Sequence, residues 1–472
     1  MGTMQNVTSF LHLPQDLKEN IIGQQDEMRH DVLPLIAACR SNTPLATTRI
    51  RLLLLCPECD VNETNYYGKT PLRMACSNGR NEFVRLLLTR PECDVNKADS
   101  DGQTPLRAAC FMNHIECVRL LLSRPEADVN KTDNDGWTPL IAACRKKGVE
   151  CVRLLLSRPE ADVNKADHHG ETPLKIACFI NRVECVRLLL SRPECDVNKS
   201  DNDGWTPLRK ACSIGINECI RLLLIHPECD VNKADHHGET PLKAACDCND
   251  VECVRILLTR PECDVNKTDN GGLTPLGAAC LGNHEECVRL LLARPEADVN
   301  KADHISGSNP LQVACSKNHV ECVRLLLTRP ETDVNNDPDY GYNPLLWACS
   351  KNHVECVRLL LSRPECDVNA EYEKETALKV ACDYNHVECV RLLLTRPEVD
   401  LNKGDDGNEW TRLKTPMRIA YKEGYVDCVR LLERSTASVS AILCVLEKHH
   451  LPIELKMHVF LILDALFLEE KT

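Results

Sequence analysis

No stretch of this 472-residue chain is both long enough and uncharged enough to cross a bilayer, so a helical membrane protein is not expected. Its start, Met1-Gly2-Thr3-Met4-Gln5-Asn6, has no basic stretch followed by an apolar run, and no secretory leader is read there. A net charge of −13 argues against nucleic acid, whose backbone requires a basic stripe. The signatures of catalysis are missing as well: there is no GxxxxGK loop, no GxSxG elbow, no HExxH and no kinase set. Asp, Glu and His instead recur at regular intervals, as on a periodic solvated face, whereas a catalytic site needs one convergence of groups. No linker rich in Pro, Gly or Ser divides the chain, which therefore reads as one continuous array. The expectation is a binding protein with no cofactor and no metal.

What the chain does have is a phrase that returns every 34 residues: Thr104-Pro105-Leu106, Thr138-Pro139-Leu140, Thr172-Pro173-Leu174, Thr206-Pro207-Leu208, Thr240-Pro241-Leu242 and Thr274-Pro275-Leu276. Followed by its proline, the register extends back to Pro71 and Pro34 and forward to Pro310, Pro344, Ala377 and Pro416, giving twelve units over about residues 31–434. The spacing breaks at His304–Asn309 and at Gly404–Lys414, where insertions are expected in surface loops. Residues 1–30 read as an N-terminal capping helix and 435–472 as a C-terminal helical cap, one of two readings of that tail.

Residues 99–132 serve to read one unit. Thr104 stands where an N-cap belongs, and Pro105 follows at the first helical position, where its missing N–H costs nothing. A short helix through Ala108, Ala109 and Cys110 is expected, its small residues allowing close approach of a neighbour. Asn113 and His114 make a turn, and Glu116–Leu122 forms a second helix that is apolar on all but a narrow stripe. Asp128-Val129-Asn130 then leads to a finger ending at Asp133 and Gly136, where Gly supplies a positive φ. Both helices are too short to persist alone, so stability must come from stacking.

Thirty cysteines suggest disulfides or zinc when counted, but not when placed. One set, from Cys76 to Cys382, ends the first helices; a second, from Cys117 to Cys389, holds one place in the second helices. A third, including Cys93 and Cys195, precedes Asp-Val-Asn and is replaced elsewhere by Ala127, Ala161 or Thr332. Such exchange suits small, reduced core residues and a reducing compartment, cytoplasm or nucleus. Cys56-Pro57-Glu58-Cys59 and Cys246-Asp247-Cys248 lack the second pair that a zinc site needs.

The period, the Thr-Pro-Leu opening and the stretch Asp99-Ser100-Asp101-Gly102-Gln103-Thr104-Pro105-Leu106-Arg107-Ala108-Ala109 resemble the ankyrin repeat. Three positions depart from the family pattern. Its usual His after Thr-Pro-Leu is Arg107, Ile141, Lys175, Arg209 or Lys243; its inter-helix Gly is often Asn, as at Asn113 and Asn181; and Arg-Pro-Glu replaces the Gly after the second helix.

The resemblance implies an all-α solenoid of about twelve helix-turn-helix units with hairpin fingers, and a protein-protein interaction scaffold. It also implies partner contacts at the finger tips, namely Asp101, Asp135, Trp137, His168, His169, Glu171, Asp203, Trp205, His236, His237, Glu239, Tyr340 and Tyr342. Helix ends at Phe111, Met112, Arg145, Lys146, Phe179 and Ile180 complete that surface. Trp137 and Trp205 lead as hot spots, although packing along the finger is an equal reading. Acidic neighbours in the sequence point to a basic or mixed apolar-basic peptide, with neither nucleic acid nor membrane as a partner. In the tail, Leu451-Pro452-Ile453-Glu454-Leu455-Lys456-Met457-His458-Val459-Phe460 resembles the first helix of an F-box. The alternative is therefore a substrate receptor that recruits a ubiquitin-ligase adaptor through Leu455, Val459 and Leu463.

Overall fold

The structure, a computed structural model, describes residues 34–40, 44–336, 342–403 and 415–435. The expected N-terminal cap and Tyr340, Leu455, Val459 and Leu463 lie outside the described residues.

Each first helix begins as its sequence dictates. Thr104 is extended (φ −77°, ψ 161°), and its hydroxyl accepts the N–H of Arg107 at 3.1 Å, with Pro105 in the first turn. Asn309 and Asn343 take over the cap where threonine is missing, accepting from Gln312 and Leu346 at 2.9 and 2.8 Å. After seven residues the helix Pro105–Phe111 ends, and Asn113 turns the chain in the left-handed region at φ 58°. The N–H of His114 closes this turn on the carbonyl of Ala109 at 2.9 Å, and Ile115–Leu122 follows as the second helix. The described residues hold twenty-four helices, which pair into twelve such repeats, numbered here from 1 (first helix Pro34–Arg40) to 12 (first helix Pro416–Lys422). The only strands among them are Glu371–Tyr372 and Glu375–Thr376, a two-stranded antiparallel hairpin in the finger before repeat 11. No helix among the described residues is long and apolar enough to cross a membrane.

The chain divides into two compact units, Met1–Pro241 and Leu242–Thr472. In the first, the core is a column of small and branched side chains: Leu106, Ala109, Cys110, Cys117, Val118 and Leu121 in repeat 3, and their equivalents in repeats 4 to 6. The second unit repeats the column, with Leu311, Ala314, Cys315, Cys322, Val323 and Leu326 in repeat 9. All of the described cysteines are free thiols. Cysteines of the second helices reach back to the preceding repeat, as Cys117 does to Asn81 Oδ1 (3.1 Å) and Cys356 to Asn318 Oδ1 (3.6 Å). Cys56 and Cys248 are exposed, Cys59 is half-buried and Cys246 is buried.

Within each unit, three polar ladders tie each repeat to the next. The Asn of Asp-Val-Asn clamps its successor at two points. In the first unit Asn130 donates to the carbonyl of Glu160 (2.6 Å) and accepts the N–H of Asp162 (2.9 Å). In the second, Asn335 does the same to Glu365 (2.7 Å) and Asp367 (2.8 Å). The lysine that follows reaches the preceding Asn carbonyl, as Lys131 does to Asn96 at 2.9 Å. The Arg of Arg-Pro-Glu caps the preceding repeat's second helix: Arg158 donates to the carbonyls of Leu122 (2.9 Å) and Pro125 (3.2 Å) while Glu160 holds its other edge. Helix C-termini leave carbonyls without intrahelical partners, and here the next repeat supplies the donors. The departure from Gly to Arg-Pro-Glu is thus an inter-repeat capping device.

Candidate protein-interaction face

The fingers before repeats 3 to 8 are each built around one aspartate. Asp133 Oδ1 accepts the N–H groups of Asp135 (3.1 Å) and Trp137 (2.8 Å), and the Asp133 N–H returns to the Trp137 carbonyl at 3.2 Å. Gly136 completes the turn at φ 84°, and a Cβ there would lie 2.7 Å from the backbone nitrogen of His168 on the next finger. That close approach lets the tips join in series. The Asp101 carbonyl accepts from Asn134 (3.0 Å), Asp135 from His168 (3.2 Å), His169 from Asn202 (3.0 Å) and Asp203 from His236 (3.3 Å). Asp101, Asp135, Asp203, His168, His169, His236 and His237 keep their side chains exposed.

Behind the fingers lies a row of buried ion pairs. The residue after Thr-Pro-Leu meets the aspartate of the following finger: Arg73 with Asp99 (3.0 Å), Arg107 with Asp133 (2.6 Å), Lys175 with Asp201, and Arg209 with Asp235 (3.2 Å). The second unit has Lys243 with Asp269 at 3.2 Å. Desolvation lowers the Arg107 pKa from its ordinary value, while Asp133 works to restore it. Ile141 breaks the row. Opposite it, Asp167 has the N–H groups of His169 and Glu171, both at 2.9 Å. Glu171 and Glu239 are tied into the same row by Lys175 (3.2 Å) and by Arg209. Sequence reading marked these two glutamates for a partner and did not anticipate the pairs, although a signal was available: the cation precedes its aspartate by 26 residues at Lys175 and Asp201, a spacing that recurs at the other pairs.

Trp137 and Trp205 are half-buried, and their surroundings differ from the acidic ones expected. The Arg145 guanidinium lies 4.3 Å and that of Arg107 5.3 Å from the Trp137 ring centre, with Phe111 at 6.4 Å. Lys146 sits over Phe111 at 4.3 Å. Two repeats on, Arg209 and Lys210 lie 4.0 and 4.6 Å from Trp205, and Lys210 is also 4.3 Å from Phe179. The acidic side chains near the tryptophans in sequence either turn inward to the ion pairs or stand at the tips. The helix ends bring cations over the rings, where the aromatic quadrupole favours them. Burial, and then the nearby Lys175, hold the Lys210 pKa below its ordinary value.

Met112 and Phe179 are exposed at 50% and 43%, and Ile180 is half-buried beside Phe179. In the second unit, Tyr342 packs edge-on against Trp347 (5.4 Å) and Tyr372 (5.8 Å), which makes it part of a local aromatic cluster. Repeats 3 to 6 therefore bring together at one edge most of the positions marked from the sequence. The structure adds Lys147 and Lys210 to them.

A family model described as ankyrin repeats (3 copies) matches residues 15–98, 35–133, 125–201, 193–269, 229–303, 261–338, 328–405 and 372–441. No curated protein matches the chain.

Proposed function

The chain belongs to the ankyrin-repeat family, and on that footing we propose that it is an intracellular scaffold that holds partner proteins on its finger tips and first-helix ends. The observation that supports this reading is the edge of repeats 3 to 6, where the finger tips expose His168 and His169, the first-helix ends expose Met112 and Phe179, and Trp137 and Trp205 are half-buried. Large apolar and aromatic side chains gathered on such an edge serve as anchors for a partner. Binding, with no chemistry of its own, is the activity proposed.

The test is affinity purification from cells of the full chain beside a Met112→Glu/Phe179→Glu variant. The scaffold reading expects the variant to lose its main partners while its circular dichroism is unchanged. Recovery of the same partners by both chains would move the binding face elsewhere. The ligase-receptor alternative is supported by the F-box-like opening Leu451–Phe460. It predicts that a chain ending at Arg434 loses a Skp-type adaptor and a cullin that the full chain retains.

A further inference from the structure

We propose that the first-helix ends of repeats 3 to 6 take an acidic protein segment carrying an apolar side chain, the reverse of the basic peptide expected from the sequence. This inference rests on the scaffold reading above and names the chemistry of the partner.

The charge balance of the face is the first argument. Arg145, Lys146, Lys147 and Lys210 have no carboxylate ion-pair partner among the described residues. Elsewhere in this acidic chain many cations do have a carboxylate partner: in the second helices Arg85 meets Glu116 (3.5 Å) and Arg187 meets Glu218 (2.7 Å), and in the buried row Arg107 meets Asp133. In a chain of net charge −13, four unmatched cations on one row are a local excess that an acidic segment would complement.

The second argument is conformational. Lys147 occupies the inter-helix turn at φ 61°, where the neighbouring repeats place Asn113 (58°) and Asn181 (56°). The left-handed region disfavours a lysine by about 1 kcal/mol, so this exposed cation is held at a position that suits it poorly. The apolar component of the partner is set by Met112 and Phe179, exposed on the same row of helix ends.

A single-stranded nucleic acid would also be drawn to cations and aromatics, and two features favour protein. The rings of Phe111, Trp137, Phe179 and Trp205 already carry this chain's own cations, which occupy the faces that bases would stack on. A nucleic acid carries a phosphate on every unit and would meet the exposed carboxylates of Asp101, Asp135 and Asp203 along the adjoining tips, whereas a peptide can set its few carboxylates against the helix ends alone.

The experiment pans a display library of random 16-residue peptides on the full chain. Enriched peptides are then measured by fluorescence anisotropy against the chain and an Arg145→Glu/Lys146→Glu/Lys210→Glu variant. The expected result is enrichment of Asp- and Glu-rich peptides containing Leu or Phe, with affinity falling at least about tenfold in the variant and on raising salt. Enrichment of basic or neutral peptides that still need Phe179 would overturn the acidic-segment inference and leave the scaffold reading standing. If no peptide is enriched, both fail. Binding of an oligouridylate probe more tightly than any peptide would replace the protein segment with nucleic acid. Lys146→Arg alone keeps the charge and should retain binding, which separates loss of charge from loss of shape.

Discussion

Arg107 is a charged side chain at a buried position, and its neighbours explain why it is tolerated. Asp133 pairs with it at 2.6 Å, and the same carboxylate folds its own finger through the N–H groups of Asp135 and Trp137. Removing one partner of a buried pair strands the other. Arg107→Met should therefore destabilise repeats 3 and 4 by about 3 kcal/mol, the low end for a broken buried pair because Asp133 keeps its two backbone donors. Hydrogen exchange of peptides from those repeats measures it, and unchanged protection would contradict it. Asp167 shows the limiting case: it faces Ile141 and relies on the N–H groups of His169 and Glu171. Legibility at this scale was partial. The cation and the aspartate were both visible in each unit, but their partnership crosses from one unit to the next, and reading a single unit does not reveal it.

At the scale of the helix and its turn, local rules carry most of the structure. Thr138 caps as Thr104 does, accepting from Ile141 at 3.1 Å, and Pro139 follows in the first turn. These features could be read directly, because a cap depends only on residues within one turn of it. The turn of repeat 4 is the exception, since Lys147 stands where asparagine suits the backbone. Lys147→Asn should stabilise the array by about 1 kcal/mol, the cost of a side chain in the left-handed region. A rise in the urea midpoint checks this, and a fall would show that Lys147 makes a compensating contact.

For the whole molecule, stability is a sum over repeats and the interfaces between them, so a small effect repeated along the chain becomes a bulk property. Two such columns set the response to pH. The Glu160 carboxyl is held below its ordinary 4.5 by its own backbone N–H and by Arg158, and Glu126 and Glu296 are held in the same way. A carboxyl with a lowered folded value contributes fully above 4.5, and the contribution is lost as pH falls through that folded value. The Cys93, Cys195, Cys263 and Cys366 thiols are pushed by burial from 9.0 to about 12. Above pH 9.0 the unfolded chain loses these protons while the folded chain keeps them, so stability falls with rising pH. A urea midpoint that is highest between about pH 5 and 9 and declines on both sides is expected from titrations over that range. A midpoint that stays flat from pH 7 to 11 would remove the thiol column from this account.

The sequence by itself determined the period, the paired helices, their caps, the finger glycines and the place of the cysteines in the core. Each of these follows from residues close together along the chain or from a side-chain type repeated at fixed spacing. Tertiary structure alone decided which charges meet. It buried Arg107, Lys175 and Arg209 against the next finger, turned Arg-Pro-Glu into a cap for the repeat before, and laid Lys146 and Lys210 over Phe111 and Phe179 of the repeats before them, beside tryptophans where acidic neighbours had been read. The reason is that stacking brings together residues a full repeat apart, and a charge in sequence carries no record of which neighbouring repeat it will face.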